Sequence, residues 1–130
     1  MDQLDLVIIG GGPAAWSCAM TARNRSLTCT VVTAGTHRSG MAKAHLITNY
    51  PGLPDISGEE LMEKMRSQAE SMGTTVVEGN ARQIMPSGQS FMTLVGNDIL
   101  TSSAVVLALG AAMPKLLPGE GDLLGHGVSW

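Results

Sequence analysis

The three consecutive glycines that follow an apolar run near the start of the chain have the spacing of a dinucleotide-binding loop. In the pattern Gly10-x-Gly12-x-x-Ala15, the first glycine permits a tight turn and the second lets the backbone approach a pyrophosphate. Ala15 lets the following helix pack closely against the strand. The unpaired N–H groups and the positive dipole end of that helix would then face the phosphates. Because a strand and a helix are expected on either side, the motif predicts dinucleotide binding.

The carboxylate that usually accompanies this motif is missing. The general pattern has Asp or Glu about 20 residues further on, at the end of the second strand, where it binds a ribose hydroxyl. Here Thr33 and Ala34 occupy that position, and no carboxylate stands between Asp5 and Asp55. The motif alone leaves two interpretations open. Either Arg38 accepts the 2′-phosphate of NADP, or the site binds another dinucleotide through backbone contacts to its ribose.

Length and composition restrict the class of protein. The chain has 130 residues, a net charge of −3 and 3% aromatic residues. That length suits one domain with a sizeable core and leaves little room for a second. A mildly acidic chain with few aromatic side chains has neither the basic surface nor the stacking platforms of a nucleic-acid-binding protein. The sequence also lacks the apolar run of about 18 residues that a membrane span needs, so we expect neither nucleic acid nor a membrane as a partner.

The cysteines, the histidines and the acidic N-terminus favour a cytoplasmic protein without a catalytic group or metal site of its own. Cys18 and Cys29 are too few for a disulfide framework and lack Cys-x-x-Cys spacing. They fall in an expected helix and strand, where free thiols usually serve as small buried hydrophobic groups. His37 and His45 fall in a long loop, and His126 has no partner that would complete a triad or a metal site. A secretory signal would carry positive charge where this chain is acidic.

The elements around the glycine motif form a βαβ unit. An apolar strand of residues 4–9 leads into the glycines, a helix of small residues covers 14–24, and a β-rich run covers 28–33. Residues 34–56 then have the composition of a long loop, which in a compact domain is usually functional or disordered.

A second helix follows the long loop. The pattern Ser57-Gly58-Glu59-Glu60 predicts a capping box, in which the serine side chain accepts from one backbone N–H and Glu60 reaches back to another. Leu61, Met65, Ala69 and Met72 repeat at helical spacing, so we expect this stripe to lie in the core. Gly73 is placed to end the helix.

The second half of the chain predicts mainly strands. Four short strand candidates follow the helix, at residues 74–78, 83–85, 90–95 and 99–101. Turn residues at 86–88 and 96–98 indicate an antiparallel meander. Residues 104–109 form another apolar run, which predicts a strand buried on both faces. Residues 114–130 are rich in glycine and proline and contain no recognisable element, so the expected single domain of residues 1–130 stops in mid-loop, as a truncated domain would.

Five segments occur in an order that resembles a known family. They are Gly10-x-Gly12-Pro13-Ala14-Ala15, Asn49-Tyr50-Pro51-Gly52, Ser57-Gly58-Glu59-Glu60-Leu61, Ala108-Leu109-Gly110 and Gly125-His126-Gly127-Val128-Ser129-Trp130. Together they resemble the first part of the low-molecular-weight thioredoxin reductases, flavoprotein disulfide reductases of the pyridine-nucleotide type, over essentially all 130 residues. The resemblance implies an α/β, Rossmann-like three-layer FAD/NAD(P)-binding domain, with a parallel sheet, helices on one face and a β-meander on the other.

The resemblance also implies which residues contact FAD. They are Gly10, Gly12, Pro13, Ala14, Ala15, Thr33, Ala34, Gly40, Asn49, Asn80, Ala81, Ala108 and Gly110. The glycine loop would lie at the pyrophosphate, the end of the second strand by the ribose and adenine, and residues 80–81 by the adenine. Asn49 would approach the flavin, and residues 108 and 110 would make backbone contacts near the cofactor. The family tolerates a missing acid at the end of the second strand.

Two departures from the family pattern bear on function. Members usually carry Gly-Gly-Gln in the loop after the second strand, where this chain has Arg38-Ser39-Gly40. This difference keeps open a ferredoxin-linked relative, in which the pyridine-nucleotide function is lost. The family's redox Cys-x-x-Cys begins directly after the segment matching residues 127–130, and its NADPH domain lies beyond, so the given sequence contains no redox centre.

The function implied is that of the FAD-binding part of a larger enzyme. That enzyme would pass electrons from NADPH through FAD to a redox disulfide and on to a thioredoxin-like protein disulfide, as a cytoplasmic homodimer. Ferredoxin is the alternative electron donor, and the fragment alone is expected to be inactive. Two other hypotheses are a flavoenzyme of the NADH oxidase or ferredoxin–NADP reductase type on the same scaffold, and a nucleotide-binding module without turnover.

Overall fold

The apolar strand that precedes the glycines lies at the centre of a six-stranded sheet. The computed structural model describes residues 3–111, 118–123 and 126. Strand β1 (Leu4–Ile9) pairs in parallel with β2 (Cys29–Thr33) on one side and with β6 (Asp98–Leu107) on the other. Strand β3 (Thr75–Glu78) extends the parallel part beyond β2, giving the order β3-β2-β1-β6-β5-β4.

Two helices cover one face of the parallel strands. Helix α1 (Pro13–Asn24) connects β1 to β2, and α2 (Gly58–Ser71) packs beside it. Because side chains alternate between the faces of a strand, Ile8 and Val31 pack under the helices, whereas Val7 and Val32 point to the opposite face. Leu61, Met65 and Ala69 of the predicted helix stripe lie in the helix-side core, whereas Met72, directly after α2, is half-buried and does not belong to that core. The small residues of α1 bring this helix close to the sheet, as the sequence predicts.

The opposite face is covered by an antiparallel meander, which confirms the predicted three-layer arrangement. Strands β4 (Ala81–Ser87) and β5 (Ser90–Val95) form a hairpin, and β5 continues into β6 through a turn at Gly96. Ile84, Val95 and Leu100 of this meander pack against Val7 and Val32 of the parallel strands. The first predicted turn is displaced, because Pro86 lies within β4, opposite Phe91. A proline is tolerated there because β4 is an edge strand.

Strand β6 corrects the prediction of two separate strands at residues 99–101 and 104–109. It is a single strand whose residues 98–102 pair with β5 and whose residues 102–107 pair with β1, so the meander and the parallel sheet share it. The prediction that the second part is buried on both faces is also wrong, since Val105 and Val106 are half-buried and Leu107 is 62% exposed. Beyond Ser102 this strand has β1 as its neighbour on one side only, within the described part of the chain.

Helix α2 begins and ends as its sequence predicts, with one difference. The Ser57 side chain accepts a hydrogen bond from the backbone N–H of Glu60 at 3.2 Å. The Glu60 carboxylate does not complete the capping box but lies 3.5 Å from the ammonium of Lys64. At the other end, the N–H groups of Gly73 and Thr74 donate to the carbonyls of Glu70 and Ala69, which is a Schellman motif.

The long loop and the C-terminal region contain short helical turns. Residues Thr36–Arg38 and Met41–Lys43 form two turns of 3₁₀ helix, and Ile47 forms an isolated bridge with Ile56. Helix α3 (Glu120–Leu123) corrects the prediction that residues 114–130 contain no element. The rest of that prediction, apart from residues 118, 119 and 126, lies outside the described residues. In the part of the chain that is described, no helix is both long enough and apolar enough to cross a membrane.

The carboxylate of Asp5 joins the start of β1 to the start of β2. Its Oδ2 atom accepts from the backbone N–H of Thr28 at 2.7 Å and from the Thr28 hydroxyl at 2.8 Å. These hydrogen bonds, the backbone one first, hold the pKa of the Asp5 carboxyl below its usual value of 3.8. A carboxyl whose pKa is lower in the folded state stabilises the fold above its unfolded pKa, and this stabilisation is lost as the pH falls through the folded-state value.

We therefore expect Asp5→Asn to remove part of the acid sensitivity of this protein. The free energy of unfolding of the wild type should decrease below about pH 4, the usual range of an aspartate, and the variant should lack the Asp5 component of that decrease. Urea unfolding between pH 2.5 and 7 measures this difference. Asp98→Asn, at the start of β6, is the control for removal of one exposed carboxylate. Parallel pH profiles for the wild type and Asp5→Asn would contradict the assignment.

Candidate functional site

The glycine loop lies between the ends of β2 and β6, the two strands that flank β1. The N–H of Gly10 donates to the carbonyl of Val32 in β2 at 2.9 Å, and the N–H of Ala108 donates to the carbonyl of Ile9 at 2.8 Å. Gly10 has a φ of +141°, and a Cβ atom there would overlap the carbonyl oxygen of Ala108. Glycine is therefore required at position 10 by the backbone conformation and by the approach of the segment that follows β6.

The other two glycines of the loop have different surroundings. A Cβ atom on Gly11 would overlap the hydroxyl oxygen of Thr33, which is itself buried and accepts from the N–H of Gly35 at 3.1 Å. A Cβ atom on Gly12 would come no closer than 3.7 Å to its nearest neighbour, the Cβ of Ser39, which is ordinary van der Waals contact. The fold thus excludes a side chain at Gly11 and leaves open space beside Gly12.

Helix α1 begins at this loop with several free backbone donors. Its first residue, Pro13, has no N–H, and the N–H groups of Ala15 and Trp16 donate to the carbonyl of Gly12. Within the described residues, the N–H groups of Gly11, Gly12 and Ala14 have no protein acceptor. Unpaired N–H groups and the positive end of the dipole make the start of a helix suitable for binding an anion.

These donors open into a cleft of about 830 Å³ at the carboxyl ends of the parallel strands. Ligands of open α/β sheets bind at this edge, where successive connections leave a strand in opposite directions. Here β1 is that strand, because it lies between β2 and β6. The cleft brings together eleven of the thirteen predicted cofactor residues, namely Gly10, Gly12, Pro13, Ala14, Thr33, Ala34, Gly40, Asn80, Ala81, Ala108 and Gly110.

The remaining two predicted residues lie elsewhere. Ala15 is completely buried in the core beneath the loop, where its small side chain lets α1 pack against the sheet. Asn49 is exposed on the long loop and does not line the cleft.

The end of β2 is joined to the segment that carries Asn80. The N–H of Gly79 donates to the carbonyl of Thr33 at 2.8 Å, so residues 79–81 lie beside the end of β2. This contact explains why two segments separated by more than forty residues line the same part of the cleft. Gly79 was not among the predicted residues, because the sequence shows only that it follows a strand.

The charges of the cleft match a ligand that carries phosphates. Arg38 and Lys43 line it, and none of its described lining residues is Asp or Glu. Lys43 lines the candidate site but was not predicted from the sequence. The signal was available, because the stretch between Asp5 and Asp55 has basic residues and no carboxylate.

In the described part of the chain, the cysteines and histidines lie outside the lining of the cleft. Cys29 is buried, and Cys18 is half-buried on α1. Burial, with a smaller contribution from Cys29, raises the pKa of the Cys18 thiol, which disfavours the reactive thiolate. His37 and His45 lie in the long loop outside the cleft lining, and the described residues contain no cluster of three potential metal ligands.

Comparison with known proteins decides the family. Residues 4–129 match the family described as pyridine nucleotide-disulphide oxidoreductase. The chain belongs to this family. Its members are flavin-dependent oxidoreductases, so this chain has the Rossmann-like fold of a flavoprotein domain.

The relatives are named thioredoxin reductases, and this chain spans about two fifths of their length. A thioredoxin reductase of Bacillus subtilis is 32% identical over 127 residues, which cover 97% of this chain and 40% of the relative. One of Chlamydia trachomatis is 36% identical over 129 residues, covering 94% and 41%. Among solved structures, a thioredoxin reductase from Gloeobacter violaceus has a TM-score of 0.81 and 36% identity, covering all of this chain and 44% of that one. A ferredoxin-flavin thioredoxin reductase from Clostridium acetobutylicum has a TM-score of 0.78 and 31% identity, covering 98% and 44%.

The contact between Gly11 and Thr33 can be tested by stability alone. We expect Gly11→Ala to lower the free energy of unfolding by about 2 kcal/mol, because the new methyl group overlaps the Thr33 hydroxyl. In a Thr33→Ala background, the same substitution should cost less than about 1 kcal/mol, since the overlapping oxygen is gone. Denaturant unfolding of the two single variants and the double variant measures this coupling. Additive losses would show that the two residues do not constrain each other.

Proposed function

We propose that this chain is the FAD-binding N-terminal portion of a thioredoxin-reductase-type flavoenzyme. The observation that carries the proposal is a set of N–H groups at the start of α1 that have no acceptor among the described residues. They open into a cleft whose described lining contains no carboxylate. The likeness to thioredoxin reductases over 97% of the chain supports it.

The glycine loop suits the pyrophosphate of FAD. The N–H groups of Gly11, Gly12 and Ala14 have no acceptor in the described part of the chain, and Gly12 has no side chain to keep a phosphate at a distance. A cleft of about 830 Å³ is also within the size range of small-molecule sites. Arg38 and Lys43 add positive charge at its rim.

The adenosine half of FAD is assigned to the other side of the cleft. Thr33 and Ala34, at the end of β2, would lie by the ribose and adenine, and Asn80 and Ala81 by the adenine. With no carboxylate there, the ribose hydroxyls would be bound by backbone groups. Arg38 as a partner of an NADP 2′-phosphate is the weaker interpretation, because the chain belongs to a flavin-dependent family.

The flavin half is assigned to the segments around the loop of residues 38–43 and the end of β6. Gly40, Ala108 and Gly110 line the cleft on this side, and Asn49 would have to approach from the long loop. When bound, FAD supplies the redox chemistry, and the residues of this chain bind it and orient it.

The whole enzyme is proposed to take electrons from NADPH and reduce a thioredoxin-like protein disulfide through a cysteine pair. The NADPH site and that pair would belong to the part of the relatives that this chain does not match. A cytoplasmic homodimer is proposed with it. The two free thiols, Cys18 and Cys29, support a reducing compartment.

One observation favours ferredoxin as an alternative electron donor. The stretch Arg38-Ser39-Gly40 replaces the usual Gly-Gly-Gln and lines the cleft, and a ferredoxin-flavin thioredoxin reductase is among the similar structures. The alternative function is therefore a thioredoxin reductase that receives electrons from reduced ferredoxin.

Binding of FAD can be separated from folding by Gly12→Ala. The φ and ψ angles of Gly12, −93° and −177°, are accessible to alanine, and a Cβ atom would have no close contact. We expect stability to change by less than about 0.5 kcal/mol and FAD affinity to fall at least about tenfold, since the methyl group occupies the place of the pyrophosphate. Titration calorimetry with FAD and denaturant unfolding measure the two quantities.

Gly88→Ala is the matched control, because Gly88 lies in the β4–β5 turn and does not line the cleft. Its φ of +63° makes alanine unfavourable by about 1 kcal/mol. This variant should lose stability and keep its FAD affinity. An unchanged FAD affinity in Gly12→Ala, or no FAD binding by the wild type, would contradict the proposed function.

The electron donor is tested with the native protein purified from its source. We expect NADPH to bleach the yellow colour of the bound flavin under anaerobic conditions, and to support reduction of a thioredoxin disulfide. Reduced ferredoxin is the parallel reagent. Bleaching by ferredoxin alone would replace the first proposal by the second, and bleaching by neither would contradict both.

A further inference from the structure

Trp16 is the largest fully buried side chain of the structure's described part, and it lies directly under the glycine loop. It belongs to α1, whose other core residues are alanines, and it is 0% exposed. Its indole Nε1–H donates to the carbonyl oxygen of Gly11 at 3.0 Å. An indole nitrogen can only donate, and a buried one usually needs a partner. The Gly11 carbonyl meets that need.

This hydrogen bond fixes the direction of the peptide group between Gly11 and Gly12. The described chain has no cis peptide bonds, so the carbonyl and N–H of this group point in opposite directions. The carbonyl points to the buried indole. The N–H of Gly12 therefore points away from the core, toward the cleft that the loop lines.

Without the hydrogen bond from the indole, a peptide group between two glycines would have few interactions that fix its direction. Glycine reaches most backbone conformations at low cost, so rotation of the Gly11–Gly12 peptide group would meet little steric resistance from the two residues themselves. The neighbouring peptide is held by the N–H of Gly10 on Val32, and the Cα of Gly11 lies against Thr33. The indole supplies the one hydrogen bond that the Gly11 carbonyl accepts within the described residues.

We propose that Trp16 is a positioning residue for cofactor binding, which holds the Gly11–Gly12 peptide group so that the Gly12 N–H faces the pyrophosphate. The identity of the ligand in this inference rests on the proposed function, whereas the direction of the N–H group does not. A donor fixed in direction before binding loses less conformational freedom when the anion arrives, which increases affinity.

The test removes the indole N–H and keeps the shape of the side chain. In a Trp130→Phe parent, Trp16 is replaced by benzothienylalanine, in which sulfur takes the place of the ring N–H, and separately by phenylalanine as Trp16→Phe. FAD affinity is measured by calorimetry. The direction of the Gly12 N–H is measured without ligand, from its residual dipolar coupling. Met65→Ala, a core variant on α2, is the control for lost stability.

The expected result is a three- to tenfold weaker binding of FAD for both Trp16 replacements, about the net value of one hydrogen bond, with a changed Gly12 dipolar coupling. Met65→Ala should lose stability and keep both the affinity and the coupling of the parent. An unchanged coupling, or an unchanged affinity, in the benzothienylalanine protein would overturn the proposal. If the parent binds no FAD, the proposed function fails, and the coupling alone decides: a changed value supports positioning by Trp16, and an unchanged value overturns it.

Discussion

The close approach of the glycine loop to the ends of β2 and β6 is the constraint on which the site depends. The N–H of Gly10 donates to Val32 on one side, and the N–H of Ala108 donates to Ile9 on the other. The backbone that follows β1 is therefore held beside the ends of β2 and β6. Because β1 lies between these two strands, the loop also defines the floor of the cleft. Helix α1 then starts at the floor, and its free N–H groups face the same space.

The shared strand β6 gives the cleft its second wall. Its first half pairs with the meander and its second half with β1, so the meander is held against the face of the sheet opposite the helices. Strand β4 begins at Ala81, next to Gly79, whose N–H is bonded to the end of β2. The layer that completes the core therefore also supplies the residues assigned to the adenine. The absence of carboxylates among the described lining residues leaves the helix dipole and two basic side chains to set the potential there.

Most of the fold could be predicted from patterns among residues that lie close together in the sequence. The rest depends on contacts between segments that are far apart in the sequence. The βαβ unit, the Ser57 cap, the end of α2 at Gly73 and the hairpin turn at Gly96 depend on residues close together in sequence. The continuity of β6 and the exposure of Leu107 depend on which strands pair with it, which the pattern of apolar residues does not encode. The contribution of Lys43 to the cleft likewise depends on how the long loop folds over the glycines.

The glycine fingerprint combines requirements of different origin. Positions 10 and 11 exclude a side chain because the backbone and Thr33 occupy the space, so they would be glycine in this fold whether or not a ligand is bound. Among the described residues, nothing gives position 12 such a steric reason. This glycine, which the fold does not need, stands at the start of a helix with unpaired donors. It therefore indicates a ligand that must approach the backbone closely. Position 12, and not the motif as a whole, is therefore where the sequence carries information about a ligand.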